Sequence, residues 1–123
     1  KVGKEEVMGL LAAVERYMKV DHEAEMRELE RRVSEMIATL SKVKGITPRR
    51  HIPVIANVVP HLEITWDEGS GKPVSAEVVK RLMDGDPPIH IQSRGAGALL
   101  VSVWMMRGNE HRIVARRLAE IFG

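Results

Sequence analysis

The apolar residues of this chain change their period at Gly45, and that change restricts the fold more than any other feature. Before Gly45 they recur every three or four residues; beyond it, short stretches alternate residue by residue. A helix repeats at 3.6 residues and a strand at two, so neither pattern can adopt the other's structure without turning its apolar face to water. The first third is therefore expected to be helical, with strands and further helices after it, which is an α+β order.

In residues 4–19, Val7, Leu10, Leu11, Val14 and Met18 make one helical stripe. Asp21 is placed to cap a second helix, with Glu23 and Glu25 near its positive end, and Val20 and Asp21 mark the break. Met26, Leu29, Val33, Met36, Ile37 and Leu40 continue the rhythm until Lys42, Lys44 and Gly45 stop it. Residues 46–52 read as a strand that Pro48 confines to a sheet edge. Leu62, Ile64 and Trp66 alternate with Glu63 and Thr65, as in a half-buried strand, and a glycine-rich turn follows at 67–73. Ser75 is predicted to cap a helix carrying Val78, Val79, Leu82 and Met83 and ending at Gly85. Strands are predicted at 89–93 and 98–104, joined by the turn Arg94-Gly95-Ala96-Gly97. Asn109 is predicted to cap a last helix whose inner face is Ile113, Val114, Leu118, Ile121 and Phe122. The expected architecture is one α+β domain over residues 1–123, ordered α(α)-β-β-α-β-β-α. Its small antiparallel or mixed sheet is covered on one face by helices.

Charge and composition narrow the function classes. The 19 basic and 17 acidic residues leave a net charge of only +2, and along the second helix the two signs interleave. That pattern is a solvated helix face rather than a nucleic-acid stripe. One Phe and one Tyr give little with which to stack bases, so direct nucleic-acid binding is not expected. Without cysteine there is no thiol nucleophile, disulfide or thiolate metal site. No apolar run approaches membrane-spanning length and nothing resembles a signal peptide, so a cytoplasmic setting without membrane contact is expected.

His22, His51, His61, His90 and His111 never fall at the spacing that puts two ligands on one helical face, so no metal site is expected. His22 and His111 lie beside acidic residues in helix first turns and are expected to be solvent-exposed; His90 reads as a surface strand histidine. The Arg94 turn has two readings. Its glycines serve a tight hairpin, or their N–H groups and the Arg94 guanidinium receive an anion. Lys1 and Lys4, just before the first helix, likewise suit either an anion or plain solvation. Trp104, Met105 and Met106 read as core and domain-interface packing. No Ser-His-Asp set, phosphate loop or paired carboxylates stand out, so no catalytic residue is assigned.

The combination is more specific than its parts. KVGKEEVMGLLAAVERYM, the charged helix ending in KVKGIT, HLEITWDE, and DPPIHIQSRGAGALLVSVWMMRGNE with its terminal helix together resemble one group over essentially the whole chain. They resemble the C-terminal small domain of fold-type I pyridoxal-phosphate enzymes. The similarity is greatest to the selenocysteine-synthase-like branch, which includes L-seryl-tRNA selenium transferase and D-glucosaminate-6-phosphate ammonia-lyase relatives. The resemblance implies a parent lyase or transferase for an amino-acid-like substrate, phosphorylated or tRNA-linked in some members. It implies a large domain, outside this chain, that carries the Schiff-base lysine and most of the cofactor contacts, and a homo-oligomeric parent. It places Lys1 and Lys4 near the active-site mouth and Arg94 where such enzymes hold a small-molecule anionic substrate. Lys1 stands where selenocysteine synthases favour arginine, and the two cations do not present the same donor geometry. No lysine here has the Schiff-base context, so this chain alone is expected to bind no pyridoxal phosphate and to catalyse nothing. Two other readings stand beside it: a free-standing module binding a small anion, and an oligomerisation domain using the apolar stripes of the first two helices.

Overall fold

The two N-terminal helices separate where the backbone of Asp21 leaves helical geometry and its carboxylate accepts the Ala24 N–H at 3.0 Å. In a computed structural model describing Lys1–Gly123, this break divides α1 (Lys4–Lys19) from α2 (His22–Leu40). Four strands follow, β1 (Ile46–His51), β2 (His61–Trp66), β3 (Gln92–Ser93) and β4 (Ala98–Ser102). Helix α3 (Ser75–Met83) lies between β2 and β3, and α4 (Glu110–Phe122) closes the chain. A single 3₁₀ turn at Glu68–Ser70 occupies the glycine-rich turn. The sheet order is β1-β2-β4-β3 and every pair is antiparallel, so β1 is indeed an edge strand. No helix is long and apolar enough to cross a membrane.

Alternation along the sheet sorts its two faces. Leu62 pairs with Val101 and Ile64 with Leu99, and all four are buried with Met36 and Leu40 of α2, Val78 and Leu82 of α3, and Leu118 and Phe122 of α4. Each such side chain contributes about 1.5–3 kcal/mol on leaving water, so this helix-covered face holds the fold together. Polar clasps fix its rim. Arg50 of β1 grips Glu30 of α2, and the Lys72 ammonium donates to the Phe122 carbonyl at the end of α4. Trp66 sets its ring edge-on to Phe122, with centroids 4.8 Å apart, and donates its indole N–H to the Pro73 carbonyl.

Several expectations change. Helix α1 forms over the predicted residues, yet it buries none of them; Leu10 is 66% exposed and Met18 79%. Its apolar stripe has no partner in this chain. The strand predicted at 89–93 pairs only through Gln92 and Ser93. Pro87 and Pro88 have no N–H for a ladder, the Ile89 N–H goes to the Leu82 carbonyl, and Ile89 and Ile91 drop into the core. The next strand ends at Ser102 rather than Trp104, because the Arg32 guanidinium takes up the Val103 and Met106 carbonyls. Arg32 thus leaves the solvated face of α2. Helix α2 ends at Leu40, and Gly45 adopts its positive φ of 84° in the following turn. Helix α3 stops at Met83, with Asp84 closing it one residue before Gly85. Val74, not Ser75, caps α3, and Asn109 occupies the α4 cap without a side-chain hydrogen bond. Ile113 and Ile121 are only half-buried.

His111 is the largest reversal. It is fully buried, not exposed, and its Nε2 lies 2.8 Å from Glu35 of α2. Glu35 also accepts from Arg112 at 2.9 Å and pairs with Arg31. The Arg112 guanidinium first, then His111, hold the Glu35 carboxyl down at about 2. The acidic neighbour that suggested a wet surface is Glu110, adjacent in sequence; a glutamate on another helix supplies the actual partner.

Candidate functional site

Directly paired residues of an antiparallel sheet share a face. Arg49 pairs with Glu63, which pairs with Leu100, which pairs with Gln92; His51 pairs with His61, which pairs with Ser102. These residues alternate with the buried Leu62, Ile64, Leu99 and Val101, so they lie on the face away from the helices. Arg94, two residues beyond Gln92, reaches across it, with Nη1 3.4 Å from His51 Nε2. Arg49 donates to Glu63, whose carboxylate is largely buried. The open face therefore carries a cationic side at β1 and the Arg94 turn, where Arg49 is partly neutralised and Arg94 has no carboxylate partner. No three His, Asp or Glu side chains converge in a metal-holding group.

At the His51–His61 end of this face β3 stops pairing, and the chain at Ile89, His90 and Ile91 parts from the end of β4. The gap is a cleft of about 630 Å³ between Gln92 and His90 on one side and His61, Leu100 and Ser102 on the other, with Met106 at its end. His61 is buried to 5% exposure and its Nδ1 lies 2.7 Å from the Val59 carbonyl. A carbonyl oxygen only accepts, so Nδ1 carries a proton, and in that tautomer Nε2 is an acceptor.

The Arg94-Gly95-Ala96-Gly97 turn is held from inside the protein. The Gly97 N–H donates to Glu68 Oε1 at 2.9 Å and to Ser75 Oγ at 2.8 Å, and the Gly95 N–H goes to Ser93 Oγ. The Glu68 carboxyl sits below its ordinary value, chiefly through the Ser75 N–H, then the Ser75 hydroxyl and the Gly97 N–H. Gly97 has a φ of +64°, and a Cβ there would overlap the Trp66 carbonyl. These glycines serve the turn, and Gly97 has no N–H left for an outside anion. The Arg94 side chain is exposed and has that capacity.

The three residues singled out for anions do not form one group here. Arg94 faces His51 on the open sheet. Lys1 and Lys4 are exposed at the start of α1, where Lys4 borders a shallow hollow with Val2, Val7 and Met8. No hydrogen bond or ion pair of Lys1 or Lys4 links them to the sheet. Helical metal spacing does not mark His61, and no motif marks Gln92. The available signal was that His61 begins the alternating run HLEITW, on the same face as Glu63.

The chain spans about a third of one curated relative it matches. It is 28% identical over 98% of its own length, and 31% of the relative's, to a 5'-C-glycyluridine monooxygenase-decarboxylase of Streptomyces sp.. No family model matches the chain.

Proposed function

We propose that this chain is the C-terminal small domain of a fold-type I pyridoxal-phosphate-dependent lyase or transferase acting on an amino-acid-like substrate. The observation that carries the reading is the open face: a four-stranded antiparallel sheet has helices on one side only and leaves Arg94 without a carboxylate partner on the other. The Streptomyces relative supports only the site of the chemistry, since its name describes monooxygenation together with loss of a carboxyl group from a glycyl-bearing substrate and names neither a lyase nor a transferase. That is a bond at an amino-acid α-carbon, and pyridoxal phosphate, when bound, supplies the electron sink such a cleavage needs.

The residues present do not fit the cofactor by themselves. No lysine lines the cleft on the open face, and the hollow beside Lys4 has no carboxylate to meet a pyridine nitrogen. On this reading the cofactor belongs to the rest of the parent. This chain's part is to close one side of the site and hold substrate. The Arg94 guanidinium fork matches a carboxylate or phosphate, and its loose 3.4 Å contact with His51 leaves it free to turn toward an anion. Lys1 and Lys4 add positive charge where the resemblance puts the mouth of the site.

The test is kinetic. In the protein encoded by the whole gene, Arg94→Ala should raise KM for the amino-acid substrate about tenfold or more, and Arg94→Lys should restore only part of it, because a point charge replaces a fork. Unchanged KM in Arg94→Ala would remove Arg94 from the site. The cytoplasmic and homo-oligomeric assignments of the parent belong to the same proposal.

A further inference from the structure

We infer that the cleft between His61 and Gln92 binds the base of a uracil nucleoside, the non-reacting end of the parent's substrate. Four observations carry this. None of the nine residues lining the cleft is Lys, Arg, Asp or Glu, so no permanent charge lines it. Leu100 and Met106, both part-exposed, give it an apolar wall that suits the face of a flat ring. Its polar groups, the Gln92 amide, the Ser102 hydroxyl and His90, have no hydrogen-bond partner within the protein. Finally, His61 is more than nine-tenths buried, and its Nδ1 bond to Val59 leaves an unpaired acceptor, Nε2, on the cleft wall.

The complement of these groups is a neutral planar ring with an N–H donor beside carbonyl acceptors. Uracil presents that pattern, its N3–H suited to His61 Nε2 and its carbonyls to the Gln92 NH₂ and the Ser102 hydroxyl. Cytosine presents an acceptor at N3. It would face His61 acceptor to acceptor and leave both unsatisfied. The volume of about 630 Å³ is in the range of small-molecule sites and leaves room for the ribose. The Arg94 guanidinium beside His51 lies one strand across from His61, so the anion and the base of one substrate would sit on neighbouring strands of the face.

This assignment rests on the proposed function for the idea that a substrate lies over the open face, but its test needs neither cofactor nor catalysis. Isotope-labelled 123-residue chain is titrated with uridine, cytidine and inorganic phosphate while amide resonances are followed. Saturable shifts of the Gln92 side-chain amide and the Leu100, Val101 and Ser102 backbone amides are expected with uridine. Cytidine should bind at least about tenfold more weakly, and phosphate should leave these signals in place. His61→Phe should abolish the uridine shifts; if that variant does not fold, Gln92→Leu, at an exposed position, should weaken them about tenfold. Equal binding of cytidine, displacement by phosphate, or no saturable shift with uridine overturns the inference. Each of those results leaves the cofactor reading to its own test.

Discussion

Replacing Gly97 with alanine should destabilise the fold by about 2–5 kcal/mol, more than the same change at Gly95, two residues away. Gly97 sits at φ +64°, where an L residue loses about 1–2 kcal/mol. Its new Cβ would also overlap the Trp66 carbonyl, which belongs to the backbone and cannot rotate away. The same residue accepts the Trp66 N–H at its carbonyl at 2.9 Å and donates its own N–H to Glu68 and Ser75, so moving it strains β2 and α3 together. Overpacking of this kind costs about 1–3 kcal/mol. Gly95 has φ +106° with nothing within 4 Å of a Cβ, so Gly95→Ala should lose only the backbone part. At about 4 °C per kcal/mol for a chain of this size, Gly97→Ala should lower Tm by about 8–20 °C and Gly95→Ala by about 4–8 °C. Thermal melts followed by circular dichroism measure both. Equal losses would refute the claim that the Arg94 turn is an internal fastening built on Glu68.

The remaining predictions concern packing and charge. Leu118→Ala, in the sealed core, should cost about 2–5 kcal/mol, whereas Leu10→Ala on exposed α1 should change the stability of this chain by no more than about 0.5 kcal/mol; urea denaturation separates them. Glu35 is held down at about 2 from an ordinary 4.5, so its charged form is the one that folding favours. Its contribution is fully present above pH 4.5 and is lost as pH falls toward 2, so Glu35→Gln should lower Tm at neutral pH and flatten the acid limb in that window. A wild-type acid limb retained in Glu35→Gln would contradict the Glu35–His111–Arg112 clasp.

The α+β order was legible because it depends on local signals. The period switch at Gly45, the Asp21 cap and the Pro48 edge all act within a few residues of themselves, and the structure has each of them. Pairing across the chain was not legible. Nothing near His111 announces Glu35, which lies on another helix 76 residues away. The stripe Val7, Leu10, Leu11, Val14 and Met18 has the right period for a core helix, but period alone cannot say what covers it. The site divides the same way. Arg94 stood out by its turn, while the Gly97 N–H proved to be committed to Glu68 and Ser75, partners two elements distant in sequence. The cleft arises because two prolines and an inward-turning Ile89 and Ile91 cut β3 short, which no motif records.

The central claim is that these residues serve a pyridoxal-phosphate enzyme whose reactive lysine lies outside them. Mixing the protein encoded by the whole gene with the cofactor, reducing it with borohydride and mapping the modified peptide by mass spectrometry tests this most directly. The account predicts one stoichiometric pyridoxyl-lysine upstream of Lys1 and no stoichiometric labelling when the 123-residue chain is treated alone. Stoichiometric labelling of a lysine within these 123 residues, or no labelling of the whole protein, would contradict it.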